Sequence, residues 1–195
     1  MNGGRGRKAI TAKPDSSRSN AKGRFDYKIR VAAPDDAEAL FHFGRELLSE
    51  TDFFLRSPAE RANSIDEMRM IINRFQELPR HLLLNAWKGN FPVGEAVIMG
   101  GELQRNRYTA TVGVGVLQEH TGKKLGRTLM EGLEHFAHHA GIHRLELTVM
   151  SHNARALRLY EKMQYRVEGM RREALHVNGS YVDEFSMSKL LGEKP

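Results

Sequence analysis

A glycine-containing loop with three basic side chains runs from Thr121 to Arg127, between a strand-like and a helix-like segment. The first backbone N–H groups of a helix have no partner within the helix, and the helix dipole makes that end positive. Lys123, Lys124 and Arg127 add positive charge, and glycine lets a ligand approach the backbone closely. The junction predicts a site for a phosphate or pyrophosphate group. A tight turn with a basic rim is the alternative for the same residues.

Two familiar phosphate-binding patterns do not fit this region. The pattern G-x-x-x-x-G-K-[ST] is absent from the sequence. Gly113 and Gly115 match the first two glycines of the dinucleotide-binding fingerprint G-x-G-x-x-G, but Gln118 stands where its third glycine should be. Both glycines also lie inside a strand-like segment. The two glycines instead indicate a strand bulge or a place where a ligand backbone approaches. Nucleotide hydrolysis and Rossmann-type redox chemistry therefore lose support.

Four histidines lie close together and raise the question of a metal site. His135, His138 and His139 fall within about one helical turn, and His143 follows. On a helical wheel the first three lie opposite the apolar face, so a solvated polar surface is the favoured interpretation. The sequence predicts no metal site.

The composition limits the kinds of protein this chain can be. It has 195 residues, 40% of them hydrophobic, and no cysteine. That length fits one α/β or α+β core, and the lack of cysteine excludes a disulfide-stapled scaffold, thiolate metal ligands and a cysteine nucleophile. No apolar run approaches the ~18 residues that cross a bilayer, and residues 1–24 hold no apolar segment typical of a signal peptide. We expect a cytoplasmic protein without membrane insertion.

The positive net charge belongs to one end of the chain. Residues 1–24 contain seven Lys and Arg against one Asp, which accounts for the whole net charge of +6. They are also rich in Gly and Ser and poor in large apolar side chains, so we predict a disordered basic arm. A solvated tail is the favoured role, and contact with nucleic acid or anionic lipid is the alternative. We predict a single domain over residues 25–195.

The elements that must position the anion site follow from apolar periodicity and turn signals. Helical spacing predicts helices over 34–48, from a capping box at Ser64 to Glu67 onward, over 124–140 and over 153–163. Alternation predicts strands over 27–31, 81–88, 93–100, 108–116 and 144–149, and two more within 166–190 around Asn178-Gly179. We expect 81–116 to form an antiparallel meander. The order βααβββαβαββ predicts an α+β fold with a mixed sheet.

Three segments, taken in order, carry a family resemblance. The first is the loop Thr121-Gly-Lys-Lys-Leu-Gly126, which is similar to the acetyl-CoA loop pattern [QR]-x-x-G-x-[GA]. The second, Asn153-Ala-Arg-Ala-Leu-Arg-Leu-Tyr160-Glu-Lys, resembles the helix motif N-x-x-A-x-x-L-Y-E-K. The third comprises Glu168 to Glu173 together with Tyr181-Val-Asp-Glu184 and Met187.

From Ile29 to about Leu191 the chain thus resembles the GNAT superfamily of N-acetyltransferases. Within it, the chain is similar to bacterial amino-group acetyltransferases of the ribosomal-protein alanine type. The resemblance implies a central twisted mixed sheet of about seven strands with about four helices. It also implies acetyl-CoA as cosubstrate, an amine acceptor and, by analogy with relatives, a homodimer.

The sequence departs from the family pattern at three places. Thr121 stands where the loop has Arg or Gln, Lys124 where it has its central Gly, and Gln164-Tyr165 where Gly-Phe follows the second motif. At Lys124 two outcomes are open. The side chain either crowds a bound pyrophosphate or, at a helical φ, turns outward and adds attraction.

Acetyl transfer to an amine requires a base for the amine, a donor for the oxyanion and an acid for the departing thiolate. The phenol of Tyr160 suits the acid role, since phenol and thiol pKa values are close, although a core position is the alternative. The resemblance implies that a backbone N–H near Val116 binds the acetyl carbonyl. The implied acetyl-CoA-binding residues are Val114, Val116, Thr121, Gly122, Lys123, Lys124, Leu125, Gly126, Arg127, Asn153, Ala156 and Tyr160.

Two glutamates are candidates for the general base. Relatives carry a Glu five residues before the motif Asn, but that position is Thr148 here, so Glu146, one pleat away, is the predicted base, acting through water. Glu95 is a second candidate, and an ordinary ion pair is the alternative for Glu146.

The apolar segment Asp52-Phe53-Phe54 lies between the first two helices. In GNAT folds that region lines the acceptor side, and a core plug is the alternative. We expect an N-acetyltransferase that acts by direct attack on a small amine, an amino acid or a peptide N-terminus. A non-catalytic module that binds acyl-CoA, or one associated with the ribosome or RNA, is the alternative.

Overall fold

The computed structural model describes residues 26–192, which form a seven-stranded sheet and four α-helices. The predicted arm over 1–24 and the residues at 25 and 193–195 lie outside the described residues. The elements are β1 Lys28–Val31, α1 Ala37–Ser49, α2 Ile65–Glu77, β2 His81–Lys88, β3 Phe91–Gly100, β4 Thr109–Val116, α3 Leu125–His139, β5 Arg144–Met150, α4 Ala154–Lys162, β6 Arg166–Val177 and β7 Ser180–Leu190.

The strands lie in the order β1-β2-β3-β4-β5-β7-β6. β4 and β5 are parallel, and every other neighbouring pair is antiparallel. The predicted mixed sheet and the antiparallel meander of β2, β3 and β4 are confirmed. The insertion of β7 between β5 and β6 was not predicted, because strand order depends on long-range pairing rather than on local pattern.

The helices cover the two faces of the sheet. A Cβ at Gly115 of β4 would lie 2.7 Å from Leu47 of α1, whereas one at Gly94 of β3 would lie 3.1 Å from Leu129 of α3. Alternate residues of a strand point to opposite faces, so α1 and α2 pack on one face and α3 on the other. Fully buried apolar side chains fill both layers, among them Leu40, Leu47, Met68, Ile72, Ile98, Leu125, Leu129, Met130, Leu133, Leu145 and Met187.

The start of α2 matches the capping signal only in part. Ser64 Oγ accepts a hydrogen bond from the Glu67 backbone N–H at 3.1 Å, as a capping box requires. The Glu67 carboxylate, however, accepts from the backbone N–H of Asn63 at 2.7 Å rather than from that of Ser64. The capping prediction is confirmed for the serine and wrong by one residue for the glutamate.

The β6–β7 hairpin turns at Asn178-Gly179, as predicted, with φ of 49° and 80°. β6 is irregular elsewhere, with register shifts between Val167 and Gly169 and between Arg171 and Leu175. In the second bulge the backbone N–H of Glu173 donates to the Asp183 carboxylate at 2.7 Å. Among residues 26–192, no helix is long and apolar enough to cross a membrane.

Candidate active site

The parallel strands β4 and β5 pair over only three residues and then separate. The pairs are Thr109 with Arg144, Ala110 with Leu145, and Thr111 with Glu146. Beyond Glu146 the rest of β5 pairs with β7 but not with β4, within the described part of the chain. The space between residues 112–116 and 147–150 is a wedge-shaped opening, called here the β4–β5 cleft.

Backbone amides of β4 point into this cleft. Leu117 N–H donates to the Val93 carbonyl at 3.1 Å and so faces β3, whereas the Tyr108 carbonyl accepts from Arg144 N–H at 3.0 Å and so faces β5. Because the backbone groups of successive residues alternate between the two edges of a strand, the N–H groups of Val114 and Val116 face β5. Both residues were predicted to bind the donor, and the structure directs their amides into the opening.

The glycines of β4 make room on the α1 side. A Cβ at Gly115 would lie 2.7 Å from Leu47 and 2.8 Å from the Phe54 ring, so glycine is needed for that ring to lie against the strand. The pairing of β3 with β4 runs from Gly94–Val116 to Gly100–Ala110 with no register shift. Of the two alternatives for Gly113 and Gly115, the strand bulge is therefore wrong, and the close approach of the Phe54 side chain is the reason for glycine at 115.

The loop that follows β4 carries α3 onto the open end of the cleft. A Cβ at Gly126 would lie 3.4 Å from Leu159 of α4 and 3.9 Å from Val116, so α3, α4 and β4 meet there. The first helical hydrogen bond of α3 runs from Thr128 N–H to the Lys124 carbonyl at 3.0 Å. The amides of 125–127 precede that bond and have no acceptor within the helix, as an anion site requires.

Lys124 has a left-handed backbone, with φ 65° and ψ 5°. Of the two outcomes left open for Lys124, the one at a helical φ is therefore excluded, because the chain must reverse direction between Gly122, at φ 76°, and the first turn of α3. A left-handed residue with a side chain is strained, and glycine is the residue that adopts this conformation freely. The Lys124 side chain is exposed.

Some of the other predicted loop residues can offer a ligand only their backbone amide, and others can offer a side chain. Leu125 is buried in the core, so only its amide is available to a ligand. Thr121 Oγ donates to the Gln118 carbonyl at 2.8 Å and closes the turn. Arg127 is exposed and pairs with Glu131 at 2.7 Å. With exposed Lys123, the loop presents unpaired amides and a positive rim, which fits a pyrophosphate.

Asn153 and Ala156 form the cap of α4. Asn153 Oδ1 accepts from the Ala156 backbone N–H at 3.1 Å, which satisfies one of the free amides at the helix start. Asn153 thereby fixes where α4 begins. The contact of Asn153 and Ala156 with acetyl-CoA stays a prediction.

Tyr160 lies in the core with 6% of its surface exposed. Its ring centroid is 5.8 Å from that of Tyr165, and its hydroxyl forms no hydrogen bond with any residue among 26–192. Burial raises the pKa of Tyr160 to about 12. The phenol is therefore neutral at physiological pH and keeps its proton available for a hydrogen bond, and full loss of that proton is harder than an ordinary phenol pKa suggests.

Glu146 stands where the cleft closes. Arg144 Nε donates to Glu146 Oε2 at 3.1 Å, while the other guanidinium nitrogens hold Glu168 at 2.8 and 2.5 Å. These carboxylates raise the pKa of Arg144 above its usual range, with the Glu168 hydrogen bonds as the main cause. Glu146 Oε1 has no partner among residues 26–192, so one oxygen remains available.

Glu95, the second base candidate, is held in an ion pair. Arg61 donates to its two carboxylate oxygens at 2.9 and 2.7 Å, and the Glu95 side chain is only 12% exposed. Arg61 reaches it across Gly44, where a Cβ would lie 2.1 Å from the arginine Nε. This pair was not predicted, since 34 residues separate its partners and no local pattern links them. Thr148 is exposed and pairs with Ser186 of β7.

The α1–α2 loop spans the open end of the cleft. Phe54 lies against Gly115 of β4, and the Phe53 ring lies 5.2 Å from the ring of His152, just after β5. Asp52 accepts a hydrogen bond from the Asn178 side chain at 2.8 Å. The structure thus brings all three predicted acceptor residues to one edge of the cleft, with Asp52 already engaged by the β6–β7 turn.

The histidines of α3 are surface residues. His135, His138 and His139 are exposed, and the rings of His135 and His139 lie 4.4 Å apart. No group of three or more His, Cys, Asp or Glu placed to hold a metal occurs in the described chain. His120 was not predicted: it is buried after β4, where its Nδ1 lies 3.1 Å from the Tyr27 hydroxyl, and burial lowers its pKa.

Comparison with known proteins agrees with this geometry. Residues 45–165 match the model of the acetyltransferase (GNAT) family. The chain is 29% identical over 99 residues to the L-amino acid N-acetyltransferase AaaT of Escherichia coli (strain K12), covering 50% of this chain and 61% of that protein. The match therefore spans less than two thirds of that relative's length.

Two solved structures are similar over nearly the whole described chain. A GNAT-family acetyltransferase from Streptococcus pneumoniae superposes with a TM-score of 0.81 and 27% identity, covering 85% of this chain and 99% of that one. The structure of yncA from Salmonella typhimurium with its cofactor acetyl-CoA gives 0.77 and 23%, covering 87% and 96%. The mixed sheet opened between β4 and β5 is the GNAT fold, and this chain belongs to the GNAT family of acetyltransferases.

Proposed function

We propose that the protein transfers the acetyl group of acetyl-CoA directly to a primary amine of a small molecule, an amino acid or a peptide N-terminus. The observation that carries this proposal is the β4–β5 cleft, which has β4 amides on its edge, a helix N-terminus at its open end and Glu146 where it closes. Each of these features supplies one requirement of acetyl transfer from a thioester.

The donor is held by backbone rather than by side chains. The amides of 125–127 and the exposed Lys123 face the position suited to a pyrophosphate. The free edge of β4 suits an extended amide-containing arm, which would add to it as a strand does. Val116 N–H, next to the loop, would then donate to the arm, and Val114 N–H, nearer to Glu146, to the oxygen that gains charge at the acetyl carbonyl.

The two proton-transfer groups lie on opposite faces of the sheet. Glu146 shares a face with its partner Thr111, which is the α1–α2 face, because paired residues on neighbouring strands point the same way. Tyr160 lies on α4, which packs with α3 on the other face. An amine can therefore approach from the Glu146 side while the thiolate leaves toward Tyr160.

The protons balance with these two residues and solvent. Glu146, through a water molecule, accepts a proton from the ammonium, and the freed nitrogen lone pair forms the C–N bond. The C–S bond breaks, and Tyr160 donates a hydrogen bond and then a proton to the sulfur. The nitrogen, which is positively charged once the C–N bond has formed, loses its second proton to solvent. The products are an N-acetylamine and CoA, solvent restores the proton of Tyr160, and Glu146 releases its proton to solvent.

The acceptor approaches along the α1–α2 face. Phe53 is 41% exposed and lies at the cleft mouth, on the path by which an acceptor would enter, whereas Asp52 is engaged by Asn178. The 29% identity to an L-amino acid N-acetyltransferase supports an amino acid among the candidates. The closer resemblance to the ribosomal-protein alanine type stays a prediction, since Thr148 occupies the position of its glutamate. The predicted homodimer also stays a prediction.

The test is release of free CoA from acetyl-CoA in the presence of single amines, with acetyl-CoA affinity measured in parallel by calorimetry. We expect turnover with at least one amine, and a fall in kcat of about 100-fold in Glu146→Gln with donor affinity retained. Tight acetyl-CoA binding without turnover for amino acids, small amines and peptides would instead support a non-catalytic acyl-CoA-binding module.

A further inference from the structure

A cavity of about 660 Å3 lies on the α1–α2 face, at the closed end of the β4–β5 cleft. Its walls come from the end of α2, the end of β3, the segment 101–106 and the start of β4. Thr111 and Glu146, the pair that closes the cleft, also line the cavity. The cavity and the cleft therefore share one carboxylate, that of Glu146.

The cavity wall combines an apolar surface with charges of both signs. Phe75, Met99 and Leu103 supply apolar contacts, and the last two are partly open to solvent at 42% and 72%. Arg105 lines the cavity and has no ion pair with any residue among 26–192. Glu146 retains one carboxylate oxygen without a partner, as described above. The wall is thus able to bind an anionic and a cationic group at once.

The remaining charged residues of the wall largely neutralise each other. Arg74 lies 3.9 Å from Glu102, and both side chains are mostly exposed. Burial lowers the pKa of His81 and so disfavours its charged form. Arg105 is then the cation best placed to meet a ligand carboxylate, because it has no competing acidic partner in the described chain.

We propose that this cavity binds the acceptor, and that the acceptor is an apolar α-amino acid. Its amine lies toward Glu146, its carboxylate is bound by Arg105, and its side chain contacts Phe75, Met99 and Leu103. This inference rests on the proposed acetyl transfer. The volume falls in the range of small-molecule sites, and a planar guanidinium suits a carboxylate.

This arrangement favours an amino acid over a polyamine or a simple alkylamine. A polyamine would place a second cation against Arg74 and Arg105, which costs Coulomb energy. An alkylamine would leave Arg105 without an anion. An α-amino acid carries on one carbon atom both a carboxylate for Arg105 and an amine for Glu146.

The test compares L-leucine with L-leucinamide, which differ in the carboxylate. In Arg105→Ala we expect kcat/KM for leucine to fall about 10- to 100-fold, the effect of one charge-assisted hydrogen bond pair, and the leucinamide value to change at most about threefold. Arg105→Lys should recover part of the loss, because it restores the charge without the planar fork. Arg107→Ala is the matched control, since Arg107 lies over the Tyr108 ring and does not line the cavity.

Equal losses for leucine and leucinamide in Arg105→Ala, or the same loss in Arg107→Ala, would overturn the proposal. Calorimetric titration of leucine into the CoA-loaded protein separates this proposal from the proposed reaction. Leucine binding that weakens in Arg105→Ala supports the site even if no acetyl transfer is seen. Absence of leucine binding to the wild-type protein overturns the site, whatever the turnover with other amines.

Discussion

Thr111 and Glu146 form the last residue pair between β4 and β5, and beyond them the strands separate. The same two residues line the cavity on the α1–α2 face. One carboxylate thus borders both the space suited to the donor and the space suited to the acceptor. The position of Glu146 at this junction, rather than its sequence offset from Asn153, is what favours it as the base.

Replacing Tyr160 by Phe removes the donor to the sulfur. Because the ring stays buried and the hydroxyl has no protein partner among 26–192, we expect acetyl-CoA affinity and folding to be retained while kcat falls about 100-fold. Steady-state kinetics with calorimetry measures both. Tyr165→Phe is the control, since the Tyr165 hydroxyl is buried without a partner and its removal should leave kcat unchanged. Full activity in Tyr160→Phe would exclude the acid role.

Replacing Lys124 by Gly should stabilise the protein. The left-handed backbone at φ 65° costs a non-glycine residue about 1–2 kcal/mol, and glycine removes this cost. Glycine also makes the unfolded chain more flexible, which lowers the free energy of unfolding by about 0.5–1 kcal/mol. We therefore expect the free energy of unfolding, measured by urea denaturation, to rise by about 0.5–1 kcal/mol. Lys124→Ala keeps the strain and should be close to neutral. A Gly variant no more stable than the Ala variant would argue against the left-handed conformation.

Replacing Gly44 by Ala should destabilise the protein although alanine favours helix. A Cβ at 44 would lie 2.1 Å from Arg61 Nε and force the guanidinium away from buried Glu95. Breaking a buried ion pair costs about 3–5 kcal/mol, and the higher helix propensity of alanine returns about 1 kcal/mol of this. We therefore expect the free energy of unfolding to fall by about 2–4 kcal/mol. The double-mutant cycle with Arg61→Ala is the check: with Arg61 gone, Gly44→Ala should stabilise the protein by about 1 kcal/mol, the gain in helix propensity. The same loss in both backgrounds would refute the clash.

Glu168 should titrate far below an ordinary glutamate. Hydrogen bonds from Arg144, and then from Ser188, lower the pKa of Glu168 to about 2. Because the pKa of Glu168 is lower in the folded protein than in the unfolded chain, ionised Glu168 stabilises the fold fully above the unfolded-state pKa of ~4.3. This stabilisation is lost as the pH falls toward about 2. Carbon-detected NMR titration measures the midpoint directly. In Arg144→Ala we expect the midpoint to move up toward the ordinary value; an unchanged midpoint would mean that Arg144 does not hold this carboxylate.

Local pattern predicted most of the elements but not their long-range contacts. Apolar spacing located the helices and strands within a few residues, and Asn178-Gly179 located the hairpin, because each signal lies within one element. The Arg61–Glu95 pair and the Asp52–Asn178 contact join residues far apart in sequence. Such contacts depend on how the layers pack, so no spacing in the chain reveals them.

Within the site, the types of the motif residues predicted ligand contacts less well than the direction of the backbone groups does. Thr121 and Asn153 belong to the motifs, yet their side chains hydrogen-bond to the Gln118 carbonyl and the Ala156 N–H. Val114 and Val116 contribute amides, which every residue but proline has, so only the alternation of hydrogen bonds along β4 shows which amides face the cleft. The cavity lined by Arg105 left no motif, since its walls combine residues of α2, β2, β3, β4 and β5 with the segment 101–106.

The most direct test of the central claim is a single-turnover reaction with trideuteroacetyl-CoA and an amine acceptor, followed by mass spectrometry of both the product and the intact protein. The chain has no cysteine, and Glu146 and Tyr160 lie on opposite faces of the sheet, so we predict direct attack by the amine. The predicted result is a trideuteroacetylated amine and a protein of unchanged mass at every time point. A protein that gains one trideuteroacetyl group before product forms would contradict direct transfer.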